Sequence, residues 1–125
     1  MIRTAVSIFV AIALIIGVSA FELNFVNKSF FELREILCSL YEKAEESTAT
    51  HEDGIAVQRY WEKKKKNLHV WLPHNSIDTI DYQLSEALGY LYEGRFTDAL
   101  PKIEVLIDMS ENIPKTFKLL PENIF

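Results

Sequence analysis

Residues 61–81, WEKKKKNLHVWLPHNSIDTID, hold the side chains of this chain that are best suited to chemistry. The residue types there that could ligate a metal are His69, His74, Asp78 and Asp81. Two histidines on one helix bind one metal best three or four positions apart, whereas His69 and His74 are five apart with Pro73 between them. Because their side chains would diverge on a helix, we expect neither a metal nor a cofactor. A metal-dependent protein centred on His74 and Asp78 is the alternative.

Nucleophilic catalysis has no supporting pattern either. Cys38 is the only cysteine, and neither it nor any serine is flanked by residues that would activate it as a nucleophile. We therefore expect a protein that is not an enzyme. A single cysteine also excludes a disulfide within the chain. We expect Cys38 to be a partly buried apolar residue of a helix, with an intermolecular disulfide as the alternative.

The basic run within this stretch can be interpreted in two ways. It consists of Lys63, Lys64, Lys65 and Lys66. The run lies near the end of a predicted helix, where the helix dipole favours cations, so a solvated helix face is the first interpretation. Lys64 alone falls on the apolar stripe, and we expect its stem to lie over Trp61 or Leu68. The alternative is an electrostatic patch that binds anionic lipid or an envelope polymer.

The other residues of the stretch are expected to serve the architecture. Trp61 and Trp71 are ten apart, about three helical turns, so both should face the core. Asn75 is the expected N-cap of the next helix, where Asp78 could complete a capping box. Asp78 and Asp81 would also complement the positive end of that helix. The stretch is therefore predicted to be a helix end and a turn.

The composition indicates that the candidate residues lie on helices. The chain has 125 residues, of which 49% are hydrophobic and 25% charged, with a formal net charge of −5. This length supports one small domain, and the mildly acidic balance favours neither disorder nor nucleic-acid binding. Glycine and proline are scarce, with four of each. We predict an all-α fold.

The N-terminus is predicted to direct the chain to a membrane. After Arg3 no charge occurs until Glu22, which is a run long enough to span a bilayer. An uncleaved single-pass anchor is the first interpretation, and a secretory signal cleaved after Ala20 is the alternative. The cation near the start places the N-terminus in the cytoplasm and the rest of the chain outside it. We divide the chain into an anchor or signal, residues 1–22, and an extracytoplasmic helical domain, residues 23–125.

Apolar periodicity predicts four helices after the N-terminal run. The first could continue directly from that run, and its inward positions are Phe30, Leu33, Leu37, Leu40 and Ala44. The polar residues EESTATHEDG predict a loop after it. The second helix should begin near Asp53 or Ile55 and stop at Pro73, which cannot donate a backbone hydrogen bond.

The third and fourth predicted helices form a hairpin. The third should begin at Asn75 or Ser76 and end at Gly94 in a left-handed cap. The fourth should follow Arg95 and close at Ile113-Pro114, after which the tail TFKLLPENIF would fold back on the bundle. The short connection requires an antiparallel arrangement. The prediction is thus a two-hairpin, four-helix bundle.

A local likeness supports the second hairpin. The residues that carry it are Ala87, Tyr90, Gly94, Phe96 and Ala99. In this order they resemble part of a tetratricopeptide repeat, with the glycine at the helix end and an alanine in the next helix. No second copy appears at the period of that repeat, so the likeness implies a hairpin and not a solenoid.

A longer pattern runs along the whole chain. It consists of Trp61, a lysine-rich interval, Trp71, His74, Ile77-Asp78, Ile80, Ile113-Pro114 and the ending Glu122-Asn123-Ile124-Phe125. In this pattern the chain resembles a bacterial family described as domain of unknown function 4363. Members are of similar length, begin with a membrane-spanning or signal-like segment and look helical, typically in spore-forming Gram-positive bacteria.

The resemblance implies that His74 and Asp78 matter to the family. A structural role would be a bond from the His74 ring to a backbone carbonyl freed by Pro73. A functional role would be a pH-sensitive hinge, because histidine titrates near neutral pH.

These observations predict a non-catalytic, membrane-anchored helical interaction module of the bacterial cell envelope. Its expected partners are the membrane, through the N-terminal segment, and a protein that the sequence does not identify. Self-association through the first helix is the other expected contact. No nucleic-acid partner is expected.

Overall fold

The computed structural model describes residues 1–70 and 72–124, with side chains described as far as Thr116. Over these residues the chain is helical and contains no strand, which confirms the predicted all-α class. Its helices, in chain order, are α1 Ile2–Glu45, α2 His51–Leu68, α3 His74–Tyr92 and α4 Phe96–Ile124.

Helix α1 joins the apolar N-terminal run to the bundle without a break. Its 44 residues give a length of about 66 Å at the usual rise per residue. Residues 1–21 are exposed, and by length and composition this helix could cross a membrane. The second half buries one stripe, which consists of the predicted Phe30, Leu33, Leu37, Leu40 and Ala44 together with Val26 and Ser29. The predicted continuity of the two parts is confirmed.

Helix α2 returns antiparallel to α1. Tyr60 of α2 donates a hydrogen bond to Glu32 of α1, whereas Asp53, earlier in α2, pairs with Lys43, later in α1. Because the residue numbers run in opposite directions, the end of α2 lies beside the place where α1 enters the bundle.

Helices α3 and α4 complete an up-and-down bundle. Asp81 of α3 pairs with Lys65 of α2 at 3.2 Å, and Glu111 of α4 lies 3.9 Å from Arg34 of α1. In the described part of the chain α1 and α3 each pack on α2 and α4, with no diagonal pair of helices in contact. The predicted two-hairpin bundle is therefore closed by α4 against α1.

The core takes side chains from all four helices. Its largest fully buried members are Trp61, Phe30, Leu37, Leu68, Ile77, Ile80, Ile103 and Val26. The rings of Phe30 and Trp61 are tilted by 47° with their centroids 6.3 Å apart. Removal of these apolar groups from water is the main force that holds the four helices together.

The start of α2 lies earlier than predicted. Instead of Asp53 or Ile55, the first residue is His51, and Thr50 is the N-cap. The Thr50 hydroxyl accepts a hydrogen bond from the amide of Asp53 at 3.1 Å, and the Asp53 carboxylate accepts one from the amide of Thr50 at 2.9 Å. This capping box satisfies two amide groups that the helix itself leaves unpaired.

Loss of the cap should weaken this helix start. We expect Thr50→Ala to lower the free energy of unfolding by about 1 kcal/mol, because a first-turn amide loses its acceptor. Thr79→Ala is the control, since Thr79 lies inside α3 and its hydroxyl donates back to the carbonyl of Asn75. Urea unfolding followed by circular dichroism measures both variants. Equal losses would contradict the capping role.

The turn between α3 and α4 is the one predicted. Gly94 has a φ of +73°, which is the left-handed conformation that closes a helix at low cost for glycine. The amide of Arg95 donates to the carbonyl of Tyr90 at 2.8 Å, and α4 begins at Phe96. The antiparallel α3–α4 hairpin is confirmed.

The predicted end of α4 at Ile113-Pro114 is wrong, because the helix runs to Ile124. Pro114 has no amide hydrogen, so the carbonyl of Ser110 loses its usual partner within the helix. The apolar face nevertheless continues, with Ser110 buried and Ile113 packed against the core. Packing along α1 outweighs one missing hydrogen bond. As far as Ile124, the main chain of the tail therefore extends α4 and does not fold back, and its side chains after Thr116 lie outside the described residues.

Candidate functional site

The predicted turn between α2 and α3, which we call the corner, lies beside the entry of α1 into the bundle. Helix α2 ends at Leu68, earlier than the predicted stop at Pro73, and α3 begins at His74. A hollow of about 390 Å³ at this place is lined by Phe21, Phe25, Asn67 and Val70. The corner is therefore level with the end of the apolar run. We call this end of the bundle the base, formed by residues 21–28 and by residues 63–78 apart from Trp71.

Trp61 is buried in the core and ties α2 to α3. Its exposed fraction is 1%, as its spacing predicts, and its indole Nε1 donates a hydrogen bond of 2.6 Å to Asp81. Asp81 was expected to complement the positive end of α3, but neither it nor Asp78 lies in the first turn. The carboxylate instead accepts from an indole on the neighbouring helix. Trp71 lies outside the described residues.

Lys65 extends this contact. Its Nζ lies 3.2 Å from the carboxylate of Asp81 and 3.3 Å from that of Glu62. Burial acts to lower the pKa of Lys65, but the hydrogen bonds to Asp81 and Glu62 outweigh it and raise that pKa above its ordinary value. Lys65 is therefore a structural cation of the α2–α3 contact.

The remaining lysines of the run have other surroundings. The stem of Lys64 was expected to lie over Trp61 or Leu68, and its Nζ lies 5.7 Å from the ring centroids of both Phe25 and Tyr60. Lys63 and Lys66 are exposed, and neither has an ion pair with a described residue. The four lysines thus divide into one internal ion pair, one cation over aromatic rings and two solvated charges.

The two histidines at the corner lie together, contrary to the expectation that they diverge. The ring centroids of His69 and His74 are 4.9 Å apart, in an edge-to-face arrangement. The reason is that α2 ends before His69, so the chain reverses between the two residues. Both side chains are exposed.

This pair does not form part of a larger ligand cluster in the described residues. No group of three or more His, Cys, Asp or Glu side chains there is arranged to hold a metal ion. Asp81 is engaged by Trp61 and Lys65, and Asp78 is exposed on the second turn of α3. The chemistry available at the corner is that of two imidazoles in edge-to-face contact.

The start of α3 differs from the predicted capping box. Pro73 is the N-cap, and no side chain caps this helix start, so the predicted cap at Asn75 is wrong. The φ of −59° and ψ of 144° at Pro73 already suit an N-cap, because proline restricts its own backbone. The Pro73 carbonyl accepts hydrogen bonds from the amides of Ser76 and Ile77. The described contact of His74 is with the ring of His69 and not with a freed carbonyl.

A second polar contact joins α1 to α2 next to the base, and sequence reasoning missed it. The hydroxyl of Tyr60 lies 2.6 Å from a Glu32 carboxylate oxygen and 3.1 Å from the Ser29 carbonyl. Burial, followed by the bond to Glu32, raises the pKa of Tyr60. The same bond lowers the pKa of Glu32, with Lys64 and Lys28 acting in the same direction. The periodicity of each helix is visible in the sequence, but the register between them is not.

This contact predicts a pH-dependent stability difference between the native chain and Tyr60→Phe. The lowered pKa of Glu32 contributes stability that is lost as pH falls below about 4, and the raised pKa of Tyr60 contributes stability that is lost as pH rises above about 10. We expect the native chain to be the more stable between these limits and the difference to shrink at both ends. Urea unfolding across pH measures it. A difference that is constant with pH would contradict the contact.

Comparison with known protein families gives one match for this chain. The model of the family described as Domain of unknown function (DUF4363) matches residues 21–124, which is more than half of the chain. The chain belongs to the DUF4363 family. The DUF4363 match covers the second half of α1 and all of α2, α3 and α4, and it begins at the last residue of the uncharged run. The predicted resemblance is confirmed.

No curated protein and no solved structure is significantly similar to the chain. The description of DUF4363 states no activity, so membership of that family does not specify a role for the helical bundle.

Proposed function

We propose that this chain is a non-catalytic, membrane-anchored module of the bacterial cell envelope that acts by contact with another protein. The observation that carries the proposal is the single helix α1. Its first half is apolar and exposed, and its second half is a wall of the bundle. An exposed apolar surface of this extent is stable in a lipid phase and not in water.

The length of the apolar half supports a single membrane crossing. The uncharged run of 18 residues, positions 4–21, corresponds to about 27 Å of helix, close to the hydrocarbon thickness of a bilayer. Arg3 on the short flank supports a cytoplasmic N-terminus and a bundle outside the cytoplasm. Cleavage after Ala20 would release the bundle instead, and it is the alternative fate of the same segment.

A surface groove supports the proposed protein contact. It lies between α1 and α2, has a volume of about 330 Å³ and is lined by Ile36, Ser39, Leu40, Lys43, Asp53, Ala56, Val57 and Tyr60. Its lining is mainly apolar and includes the Lys43–Asp53 ion pair. Apolar centres with polar rims are typical of surfaces that bind other proteins. Phe31, 61% exposed on the same helix, supports self-association as one form of this contact.

The arrangement of side chains supports a role without catalysis. Of the two acids considered for a metal site with His74, Asp78 is exposed on α3 and belongs to no group of three or more ligand residues in the described part of the chain, and Asp81 is held by Trp61 and Lys65. Cys38 is half-buried on α1, and no described hydrogen bond joins it to a base. We therefore rank the metal-dependent function below the interaction module.

Two measurements test the proposed function in intact cells. Alkaline extraction of membranes, with the intact mass of the recovered chain, distinguishes an uncleaved anchor from cleavage after Ala20. Photo-crosslinking from Ser39 in the groove, with exposed Tyr82 on α3 as the matched control position, tests the contact. We expect a crosslinked product from Ser39 and little from Tyr82. Recovery of only monomer from both positions at every stage of growth would contradict the proposed contact.

A further inference from the structure

We propose that the base of the bundle binds the anionic phospholipid head groups of the bilayer that α1 enters, through Lys63, Lys64 and Lys66. The inference rests on the proposed membrane anchor and adds a second contact with the same membrane. Because α1 runs unbroken from the anchor into the bundle, it predicts that anionic lipid draws the base into the head-group region by changing the depth and tilt of the whole rod. We call this state docked.

The position of these lysines along the bundle is the first argument. Lys64 contacts the ring of Phe25, and Asn67 and Val70, further along α2, share the hollow with Phe21. Phe21 is the last residue of the uncharged run. The lysines therefore lie within roughly 8 Å of the level at which the apolar helix would leave the hydrocarbon. That is the depth of phospholipid head groups.

The charges at this level are the second argument. Lys65 is paired with Asp81 and Glu62, but Lys63 and Lys66 have no acidic partner in the described part of the chain. Lys64 is held over two aromatic rings and forms no ion pair with a described residue, and Glu32 lies close enough to offset part of its charge. Basic side chains near a membrane surface attract anionic lipids.

Exposed apolar groups beside the lysines are the third argument. Phe21 and Val70, on the two sides of the hollow, are each 70% exposed. Apolar groups next to lysines are the combination found on surfaces that enter the head-group region, where the apolar part leaves water and the cations meet phosphate. An anionic wall polymer would satisfy the lysines but would leave Val70 in water. The lipid surface satisfies both.

The acidic residues at this level limit the attraction without cancelling it. Outside the paired group of Lys65, Asp81 and Glu62, three carboxylates lie near this level: half-buried Glu22, exposed Asp78, and Glu32, which lies near Lys64 and Lys28. They oppose four lysines, three on α2 and the exposed Lys28 on α1, so the net charge of this set is +1. Binding should therefore weaken with added salt and vary strongly with the loss of one cation.

Fluorescence quenching in vesicles tests the proposal on the full chain. In a Cys38→Ser background, Asn67→Cys carries an environment-sensitive dye, and the vesicles contain lipids with a quencher on the head group. We expect strong quenching in phosphatidylcholine mixed with phosphatidylglycerol, and weak quenching in phosphatidylcholine alone or in high salt. The same dye at Glu46→Cys, at the far end of the bundle, should not be quenched in either vesicle.

A matched pair of variants isolates the contribution of position. Lys66 and Arg59 are exposed cations seven residues apart, so they lie on the same face of α2 with Arg59 about 10 Å further from the membrane. We expect Lys66→Gln to lower the ratio of docked to undocked bundle roughly fivefold. The double variant Lys63→Gln, Lys66→Gln should lower this ratio roughly 25-fold. Arg59→Gln should change it less than about twofold, because its charge lies beyond the screening length.

Three outcomes would overturn the inference, and they are distinguishable. If the chain floats with both kinds of vesicle but the dye at position 67 is quenched equally, or if Lys66→Gln equals Arg59→Gln, the anchor stands and the head-group contact does not exist. If the chain fails to float with vesicles, the anchor fails and this inference fails with it. If a soluble glycerol-phosphate polymer binds the chain in phosphatidylcholine vesicles while anionic lipid has no effect, the lysines bind polymer and not lipid.

Discussion

Trp61→Ala should lower the free energy of unfolding by about 3–5 kcal/mol, which is the cost of removing a large aromatic side chain from a core. Trp61 is 1% exposed and packs against Phe30. Its loss would leave a cavity between α1, α2 and α3, and it would remove the indole that holds Asp81. Urea unfolding of the full chain in detergent micelles, followed by circular dichroism, measures the change without depending on tryptophan fluorescence.

Trp61→Phe separates packing from hydrogen bonding. Phenylalanine keeps most of the apolar volume but has no donor for Asp81, which would still pair with Lys65 at 3.2 Å. We expect a loss of about 1–2 kcal/mol, well below that of the alanine variant. If both variants lose the same amount, the hydrogen bond and not the packing holds the helices at this point. If neither loses more than about 1 kcal/mol, Trp61 does not have the core role described here.

Ile12→Arg should remove most of the chain from the membrane fraction. Ile12 lies near the middle of the uncharged run and is half-exposed on α1. An arginine in place of an apolar residue at the centre of a membrane helix costs about 3 kcal/mol, which corresponds to roughly a 150-fold shift between inserted and uninserted chain. Alkaline extraction of cell membranes, followed by detection of the chain in the soluble and insoluble fractions, measures this shift.

The control for this variant lies on the same helix. Phe31 is 61% exposed in the half of α1 that belongs to the bundle, so Phe31→Arg adds the same charge outside the apolar run. We expect it to stay in the membrane fraction. Equal retention of both variants would contradict a membrane-spanning α1. A chain that has lost its first 20 residues would instead support the secretory signal.

Periodicity within single helices could be predicted from the sequence, and the structure confirms it. The apolar stripe from Phe30 to Ala44 and the left-handed turn at Gly94 are local features, since each depends on residues within a few turns of the chain. The helix boundaries were less predictable. Thr50 and Asp53 form their capping box inside a stretch rich in turn residues, and Pro114 lies inside a helix because packing on α1 continues past it.

The candidate site shows why the remaining features could not be predicted. The hydrogen bond from Trp61 to Asp81 joins two helices, so it depends on their relative register, which apolar spacing does not specify. The proximity of His69 and His74 depends on where α2 ends. If α2 continued through both residues, the two rings would point apart. Because α2 ends at Leu68, the chain reverses and the rings lie together.

The unbroken course of α1 has a mechanical consequence for an anchored chain. No loop or glycine-rich segment separates the bilayer half of the rod from its bundle half, so the two halves must tilt together. The far loop at residues 46–50 lies about 36 Å beyond Phe21, so a tilt of about 10° displaces it sideways by about 6 Å. Tilt responds to hydrocarbon thickness. A thinner or thicker bilayer would therefore change the tilt of α1 and displace the loop sideways.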